Sequence, residues 1–145
     1  MFNEKIKLTL VDDDALFLKS LEIELNKTED FIIETYATGE DFLEALSNQN
    51  RPDVIILDYY LNGISKNAMN GIETLDKIKS VDVSIPVIML SSQDKIEVAI
   101  SCMHHQAFDY VVKSETAIFR LQKIITSLVD LKNMEKQLNW YMDRM

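Results

Sequence analysis

This chain of 145 residues lacks several features that mark particular classes of protein. It has one cysteine, Cys102, so no disulfide bond can form within it. No apolar run approaches the roughly 20 residues that span a bilayer, and residues 1–5 show no signal-peptide pattern. We therefore expect a cytoplasmic protein that does not associate with membranes.

Positive charge is also scarce. The 15 Lys and Arg residues are outnumbered by 24 Asp and Glu residues, which gives a net charge of −9. Such a chain repels the phosphates of nucleic acids unless basic residues gather on one face, and the sequence shows no such gathering, so we expect no direct nucleic-acid binding. The hydrophobic content of 47% predicts one folded globular domain instead of a disordered chain.

Short apolar runs alternate with helical patterns along the chain. The runs predict strands at 6–11, 31–36, 54–58, 85–90 and 108–112. The helical patterns cover 15–27, 39–47, 72–79, 94–105 and 116 onward, and an irregular loop covers 59–70. Continuous apolar strands that alternate with helices predict an α/β fold with a doubly wound, five-stranded parallel sheet and helices on both faces.

Polar and charged side chains stand at the carboxyl ends of four predicted strands. They are, in chain order, Asp12, Asp13, Asp58, Ser91, Ser92 and Lys113. The carboxyl ends of parallel strands lie along one edge of the sheet, and open α/β sheets bind ligands there. We therefore expect these groups to share one crevice.

The carboxylates of this set predict a metal site. Clustered carboxylates repel one another unless a cation compensates. Mg²⁺ prefers oxygen ligands at about 2.0–2.1 Å and retains water, so a few carboxylates and a phosphoryl oxygen suit it. We predict Asp13 and Asp58 as direct ligands and Asp12 as a ligand through water. Asp14 is predicted to cap the following helix instead.

The remaining groups of the crevice suit a phosphoryl group. The Lys113 ammonium can pair with Asp58 at rest and with a phosphoryl group later, which supplies the charge stabilisation that phosphoryl transfer needs. The Ser91 hydroxyl can donate to a phosphoryl oxygen or cap the next helix, and the small Ser92 leaves room for the group. Metal, lysine and hydroxyl together could hold an aspartyl phosphate.

At these motifs the chain resembles the receiver domain of two-component response regulators. The matching segments are Leu10-Val11-Asp12-Asp13, Ile56-Leu57-Asp58, Met89-Leu90-Ser91-Ser92 and Asp109-Tyr110-Val111-Val112-Lys113. The resemblance implies a flavodoxin-like sheet of strand order 2-1-3-4-5. It implies a receiver domain over residues 1–130, which leaves residues 131–145 as a helical extension.

The resemblance also implies a phosphorelay switch. Asp58 would accept phosphate from a phosphohistidine of a sensor histidine kinase or histidine phosphotransferase. Mg²⁺ would be bound by Asp13, Asp58 and the backbone carbonyl of Tyr60, with Asp12 assisting through water.

Further positions acquire roles from the same resemblance. Ser91 and Tyr110 would form a switch pair that remodels the face made by the fourth helix, fifth strand and fifth helix. Tyr60 and Gln93 would set the lifetime of the phosphoryl group. A bulky Tyr60 side chain should screen that group from water.

Three features depart from the family pattern. The loop after Asp58 lacks a Met-Pro step and is longer by about five residues, with Gly71 as the counterpart of the closing glycine. Lys113 is followed by Ser114 instead of proline, and a cis peptide there would cost about 2.5–4 kcal/mol. Gln106 stands where the family commonly has glycine, which puts the turn before the fifth strand in question.

The last helical pattern is unusually long. A spacing of three and four joins Leu121, Ile124, Leu128, Leu131, Leu138 and Met142, with only Glu135 out of register. We expect the helix to outgrow the domain. Its end is either a solvated tail, a linker to a further domain or a seam for a homodimer.

Two other functions stay open on the sequence. The altered loop and missing proline suit a receiver-shaped interaction module that carries no phosphate. The run Asp12-Asp13-Asp14 also resembles the nucleophile motif of haloacid-dehalogenase phosphatases, but that mechanism needs a later acidic pair, which the chain lacks. We expect a phosphoacceptor regulatory domain and not an enzyme.

Overall fold

The computed structural model describes residues 4–48, 51–61, 63 and 66–145. The predicted loop over 59–70 therefore lies only partly within the described residues. The strands are β1 (Ile6–Val11), β2 (Phe31–Tyr36), β3 (Val54–Asp58), β4 (Val87–Ser91) and β5 (Asp109–Val112). The helices are α1 (Ala15–Leu25), α2 (Gly39–Ser47), α3 (Gly71–Val81), α4 (Ile96–His104) and α5 (Ala117–Asp143).

The five strands form one parallel sheet in the order β2-β1-β3-β4-β5, which confirms the predicted flavodoxin-like fold. Leu8 of β1 is paired with Ile33 of β2 on one side and with Val54 of β3 on the other. The chain thus crosses over β1 between β2 and β3, and the strand order reverses there. Such a switch point opens a crevice at the carboxyl ends of the strands.

Hydrophobic side chains fill both sides of the sheet. Successive residues of a strand point to opposite faces, so Ile56 packs with α1 and α5 while Ile55 packs with α2, α3 and α4. Every residue of β3 and β4 is buried, including Asp58 and Ser91 at their ends. Burying one such aliphatic side chain contributes about 1.5–3 kcal/mol, so these two strands form a firm base for the crevice.

Several boundaries differ from the predicted ones. β4 begins at Val87 and not at residue 85, because Pro86 has no N–H to donate to the ladder. It extends through Ser91, which therefore ends the strand instead of following it. α4 begins at Ile96, two residues later than predicted, and α1 ends at Leu25, two residues earlier.

The last helix, α5, is one continuous element of 27 residues. Its buried side chains are Ala117, Leu121, Ile125 and Val129, one per turn, and every residue from 130 to 145 is exposed. The prediction of an unusually long last helix is confirmed, and all its buried side chains lie in the first half of it. Among the described residues, no helix is long and apolar enough to cross a membrane.

Two departures from the family pattern can be located in the backbone. No cis peptide occurs in the described part of the chain, so the Lys113–Ser114 bond is trans. Gln106 adopts a φ of 73°, the left-handed conformation that favours glycine. The turn before β5 is thus retained without glycine.

Candidate functional site

Three carboxylates meet at the carboxyl edge of the sheet, as predicted. Asp12 and Asp13 leave the end of β1, and Asp58 is the last residue of the adjacent β3. One carboxylate oxygen from each lies within 4.8 Å of the others. Asp12 and Asp58 are only 3% and 4% exposed, whereas Asp13 is partly exposed. The donor set is all oxygen, which suits a hard divalent cation.

The segment after β1 is fixed by two local hydrogen bonds and one to the long loop. The Asp14 N–H donates to Asp12 Oδ1 at 2.9 Å. Asp14 Oδ1 accepts from the Phe17 N–H at 3.1 Å, which confirms Asp14 as the cap of α1. The outer carboxylate, Asp13, accepts at Oδ2 from the Gly63 N–H at 3.0 Å, so the long loop contacts the site directly.

Lys113 reaches into the carboxylate cluster from the end of β5. Its Nζ lies 2.8 Å from Asp12 Oδ2 and 3.4 Å from Asp58 Oδ1. The resting pair with Asp58 is present as predicted, but the contact with Asp12 is the shorter one. The ammonium also lies 4.4 Å from the centroid of the Phe17 ring, a contact that the sequence interpretation missed.

Burial and charge oppose each other at this cluster. Burial and then the charge of Asp12 raise the pKa of Asp58 to about 7 from 3.8, although Lys113 and the Tyr60 N–H act in the other direction. Burial disfavours the Lys113 ammonium, yet its hydrogen bond to Asp12 and the charges of Asp58 and Asp12 outweigh burial and raise its pKa. The cluster therefore favours a further positive charge near Asp58.

Ser91 and Tyr110 both contact the backbone of Gln93. The buried Ser91 hydroxyl accepts from the Gln93 N–H at 3.1 Å, and the Tyr110 hydroxyl donates to the Gln93 carbonyl. Ser91 does not cap α4, because that helix begins after Lys95. The predicted switch pair is thus joined through one residue, and the neighbouring Ser92 is exposed.

The residues after Asp58 leave little room around the backbone. Tyr60 donates its N–H to Asp58 Oδ1 at 3.3 Å, and its side chain is 40% exposed. Gly71 donates to the Tyr59 carbonyl at 3.0 Å. A Cβ at Gly71 would lie 2.6 Å from that carbonyl oxygen and would also collide with the Asp58 carbonyl. Close approach, not an unusual φ, therefore requires glycine here.

The family model of the response regulator receiver domain matches residues 8–126, which include every group of the site described above. This chain belongs to the response regulator receiver domain family. The receiver domain is a regulatory module of two-component systems. Within it, the carboxylates of Asp12, Asp13 and Asp58 could hold a metal ion.

The bacterial relatives include a protein much longer than this chain and a protein of about the same length as the matched region. A protein-glutamate methylesterase/protein-glutamine glutaminase of Clostridium acetobutylicum is 36% identical over 129 residues, which cover 87% of this chain and 35% of that protein. The chemotaxis protein CheY of Listeria monocytogenes is 30% identical over 125 residues, which cover 85% of this chain and 95% of that protein. This receiver domain thus spans about a third of the methylesterase relative and almost all of the chemotaxis protein.

Solved receiver domains share the fold. The receiver domain of NtrX from Brucella abortus has a TM-score of 0.74 at 26% identity, with 85% of this chain and 98% of that one covered. The BeF3-activated receiver domain of DrrB has a TM-score of 0.73 at 26% identity, with 87% and 98% covered. Both likenesses extend over most of each chain.

Proposed function

We propose that this receiver domain is a phosphorelay switch that accepts a phosphoryl group on Asp58. The observation that carries the proposal is the meeting of three carboxylates within 4.8 Å, two of them paired with the Lys113 ammonium. Three clustered carboxylates facing a single ammonium are unfavourable in a folded protein unless a further cation or a ligand binds there. The phosphoryl donor is a phosphohistidine of a sensor histidine kinase or a histidine phosphotransferase.

Mg²⁺ is the proposed cofactor. Asp13 and Asp58 would hold it directly, together with the Tyr60 carbonyl, and Asp12 would act through water. The oxygen donor set fits Mg²⁺, and the raised pKa of Asp58 favours a cation beside that carboxylate. When bound, Mg²⁺ supplies positive charge that keeps Asp58 ionised and offsets charge on the phosphoryl oxygens.

The transfer requires an ionised Asp58. One Asp58 oxygen forms a bond to phosphorus as the phosphorus–nitrogen bond of the donor breaks, and the electron pair of that bond leaves with the imidazole. Lys113 then donates from its ammonium to a phosphoryl oxygen, which stabilises the charge that develops there. The exposed, small Ser92 leaves space for the group.

The response of the fold depends on Ser91 and Tyr110. In the state described, Gln93 holds both side chains through its N–H and its carbonyl. A phosphoryl oxygen would accept the Ser91 O–H and draw the hydroxyl towards Asp58. That movement would break the bond that Ser91 accepts from the Gln93 N–H, free the Gln93 segment and allow the Tyr110 ring to turn inward. Phosphorylation shifts this two-state equilibrium only by the additional contacts made in the active state. The face of α4, β5 and α5 would then present the signal.

Labelling with a small phosphodonor tests the proposal. We expect acetyl phosphate to place one phosphoryl group on the protein in the presence of Mg²⁺, and EDTA or Asp58→Ala to abolish it. Asp130→Ala removes an exposed carboxylate of α5 and serves as the matched control, which should label as the wild type does. Labelling of Asp58→Ala at the wild-type level would refute Asp58 as the acceptor.

The same assay separates the alternatives. A receiver-shaped interaction module would take no phosphate under any condition. A phosphatase would turn over a phosphorylated small molecule many times, whereas a regulatory domain holds a single phosphoryl group. We favour the regulatory domain because a phosphatase of the haloacid-dehalogenase class needs a later acidic pair, whereas the residue that follows the fifth strand is Lys113.

We further propose that residues 1–130 form the receiver domain and residues 131–145 a helical extension. This division is supported by α5, whose buried side chains end at Val129. The extension is proposed as a homodimer seam, with a linker to a further domain as the alternative. The high negative charge supports a receiver domain that does not itself bind nucleic acid.

A further inference from the structure

The Phe17 ring lies against the ammonium of Lys113. The distance from Nζ to the ring centroid is 4.4 Å, within the range of a cation–π interaction. Phe17 stands in the first turn of α1, where its N–H is held by the Asp14 cap. The segment that begins after β1 thus supplies the ring as well as the Asp12 carboxylate to the same ammonium.

An aromatic ring holds a cation in a way that differs from a carboxylate. The face of the ring attracts the ammonium through its quadrupole. The N–H donors of the ammonium therefore stay available for oxygen acceptors. The Lys113 side chain is only 15% exposed, so solvent screens this attraction weakly. The ring can therefore fix the position of Nζ while its hydrogen bonds change partners.

Such a change of partners follows from phosphorylation. An Asp58 oxygen that becomes bonded to phosphorus is a weaker acceptor than a carboxylate oxygen, so Lys113 has to exchange that contact for a phosphoryl oxygen. The contact with Phe17 is independent of the state of Asp58.

We propose that Phe17 is a positioning residue for phosphoryl transfer, whose ring keeps the Lys113 ammonium at the reacting carboxylate throughout the reaction. This inference rests on the proposed function. Leucine at position 17 would keep an apolar side chain but lose the ring, whereas tyrosine would keep both. The chain also contains a matched control, because Lys123 Nζ lies 4.8 Å from the Phe119 ring on α5, outside the site.

NMR of the full chain with ¹³C-labelled lysine Cε groups tests the contact without any phosphorylation. We expect the Hε signals of Lys113 to be shifted upfield by the Phe17 ring, and Phe17→Leu to abolish that shift. Phe17→Tyr should retain it, and Phe119→Leu should change only Lys123. An unshifted Lys113 in the wild type would overturn the proposed contact.

Phosphorylation kinetics with acetyl phosphate and saturating Mg²⁺ test the role. Phe17→Leu should lower the maximal rate constant about threefold to tenfold and leave the half-saturating donor concentration nearly unchanged. Phe17→Tyr should restore the rate, and Phe119→Leu should match the wild type. In a Lys113→Met background, Phe17→Leu should have no additional effect if the ring acts through the ammonium.

Two kinetic results would overturn the inference. One is a rate constant for Phe17→Leu equal to that of the wild type. The other is a rate constant for Phe17→Tyr as low as that for Phe17→Leu. The second result would mean that the shape of the side chain matters and not the presence of a ring. A wild type that takes no phosphate would instead refute the proposed function, and the kinetic role of Phe17 with it. The NMR result separates these failures, because it reports the ring contact alone.

Discussion

The carboxylate of Asp58 is held where its charged form is unfavourable. Burial and the neighbouring Asp12 raise its pKa to about 7, so in the metal-free protein near neutral pH it is protonated about half the time. The unfolded chain, with a pKa near 3.8, is already ionised there. Between these two values the folded state binds a proton that the unfolded state does not, so folding stability falls as pH rises through this window.

Asp58→Asn should remove this pH-dependent loss of folding stability. In EDTA we expect the variant to exceed the wild type in free energy of unfolding by about 1–3 kcal/mol at pH 8, and by clearly less at pH 5, where the wild type is protonated. Urea denaturation at both pH values measures the difference. Asp130→Asn, at an exposed position, should show no such dependence. An equal gain at both pH values would contradict burial of an ionised Asp58.

Tyr60 is proposed to restrict the access of water to an acyl phosphate on Asp58. Its side chain is 40% exposed and its ring stacks edge-on against Tyr59 at 4.9 Å, so it has a defined position beside Asp58. We expect Tyr60→Asn to admit water and to speed loss of phosphate about threefold to tenfold, which corresponds to about 1 kcal/mol in the barrier.

The decay of the labelled protein after removal of donor measures this lifetime. Tyr60→Phe keeps the bulk of the side chain and should decay as the wild type does. An unchanged lifetime in Tyr60→Asn would show that the ring does not exclude the attacking water.

The residues of the site differ in how far the sequence could predict them. Asp12, Asp58 and Lys113 follow continuous apolar runs, and the parallel sheet brings such positions to one edge whatever the loops do. Phe17 carries no comparable signal, because its contact depends on the rotation of α1 and on the path of Lys113. The hydrogen bond from Gly63 to Asp13 depends in the same way on an irregular loop.

Among the elements, the turn at the end of α4 places a residue other than glycine in the left-handed conformation. The Ala107 N–H donates to the Cys102 carbonyl at 3.0 Å and the Gln106 N–H to the Met103 carbonyl at 3.1 Å, the pattern of a Schellman motif. Gln106 occupies the left-handed position of that motif, with a φ of 73°. A side chain there strains the backbone, and the buried Cys102 and Ala107 fix the turn on either side.

Gln106→Gly should therefore stabilise the fold, by about 0.5–1 kcal/mol in urea denaturation, since relief of strain exceeds the entropy cost of glycine. Gln106→Ala removes the same polar group but keeps Cβ, so it should stay close to the wild type. A similar gain in both variants would assign the effect to loss of the side chain and not to the backbone.

The sequence predicted which strands and helices are present better than it predicted the residues at which they begin and end. Continuous apolar runs revealed β3 and β4 because both are buried on both faces. The start of β4 depended on Pro86, which interrupts the ladder although Ile85 is buried. The start of α4 depended on Lys95, a cap without a side-chain hydrogen bond, which no local pattern indicates.

At the scale of the whole molecule, α5 has two unlike halves. Up to Val129 it packs on the sheet, and Lys132 makes an ion pair of 3.1 Å with Asp53, the residue before β3. After Val129 large apolar side chains of the helix are exposed, and four of them repeat at intervals of three and four: Leu131, Met134, Leu138 and Tyr141. This register avoids Glu135, the residue that interrupted the predicted one, and forms a single stripe suited to a partner helix.

The exposed stripe leads to a prediction about oligomeric state. Two heptads are short for a coiled coil, so we expect a weak dimer of the full chain, with a Kd of about 1–100 µM in sedimentation equilibrium. Leu138→Asp should make the chain monomeric. Asn139→Asp adds the same charge beside the stripe and should leave the dimer intact. Neither variant should change the free energy of unfolding of the monomer by more than about 0.5 kcal/mol, because both side chains are exposed.

The chain without residues 131–145 separates this seam from the fold. It keeps every buried residue of α5, so we expect it to remain folded, to be monomeric and to label on Asp58 as the full chain does. A dimer that persists in this truncated chain would move the seam to the packed half of α5 or to another face. A full chain that is monomeric at 200 µM, above the expected Kd of about 1–100 µM, would instead favour a further domain as the partner of the stripe.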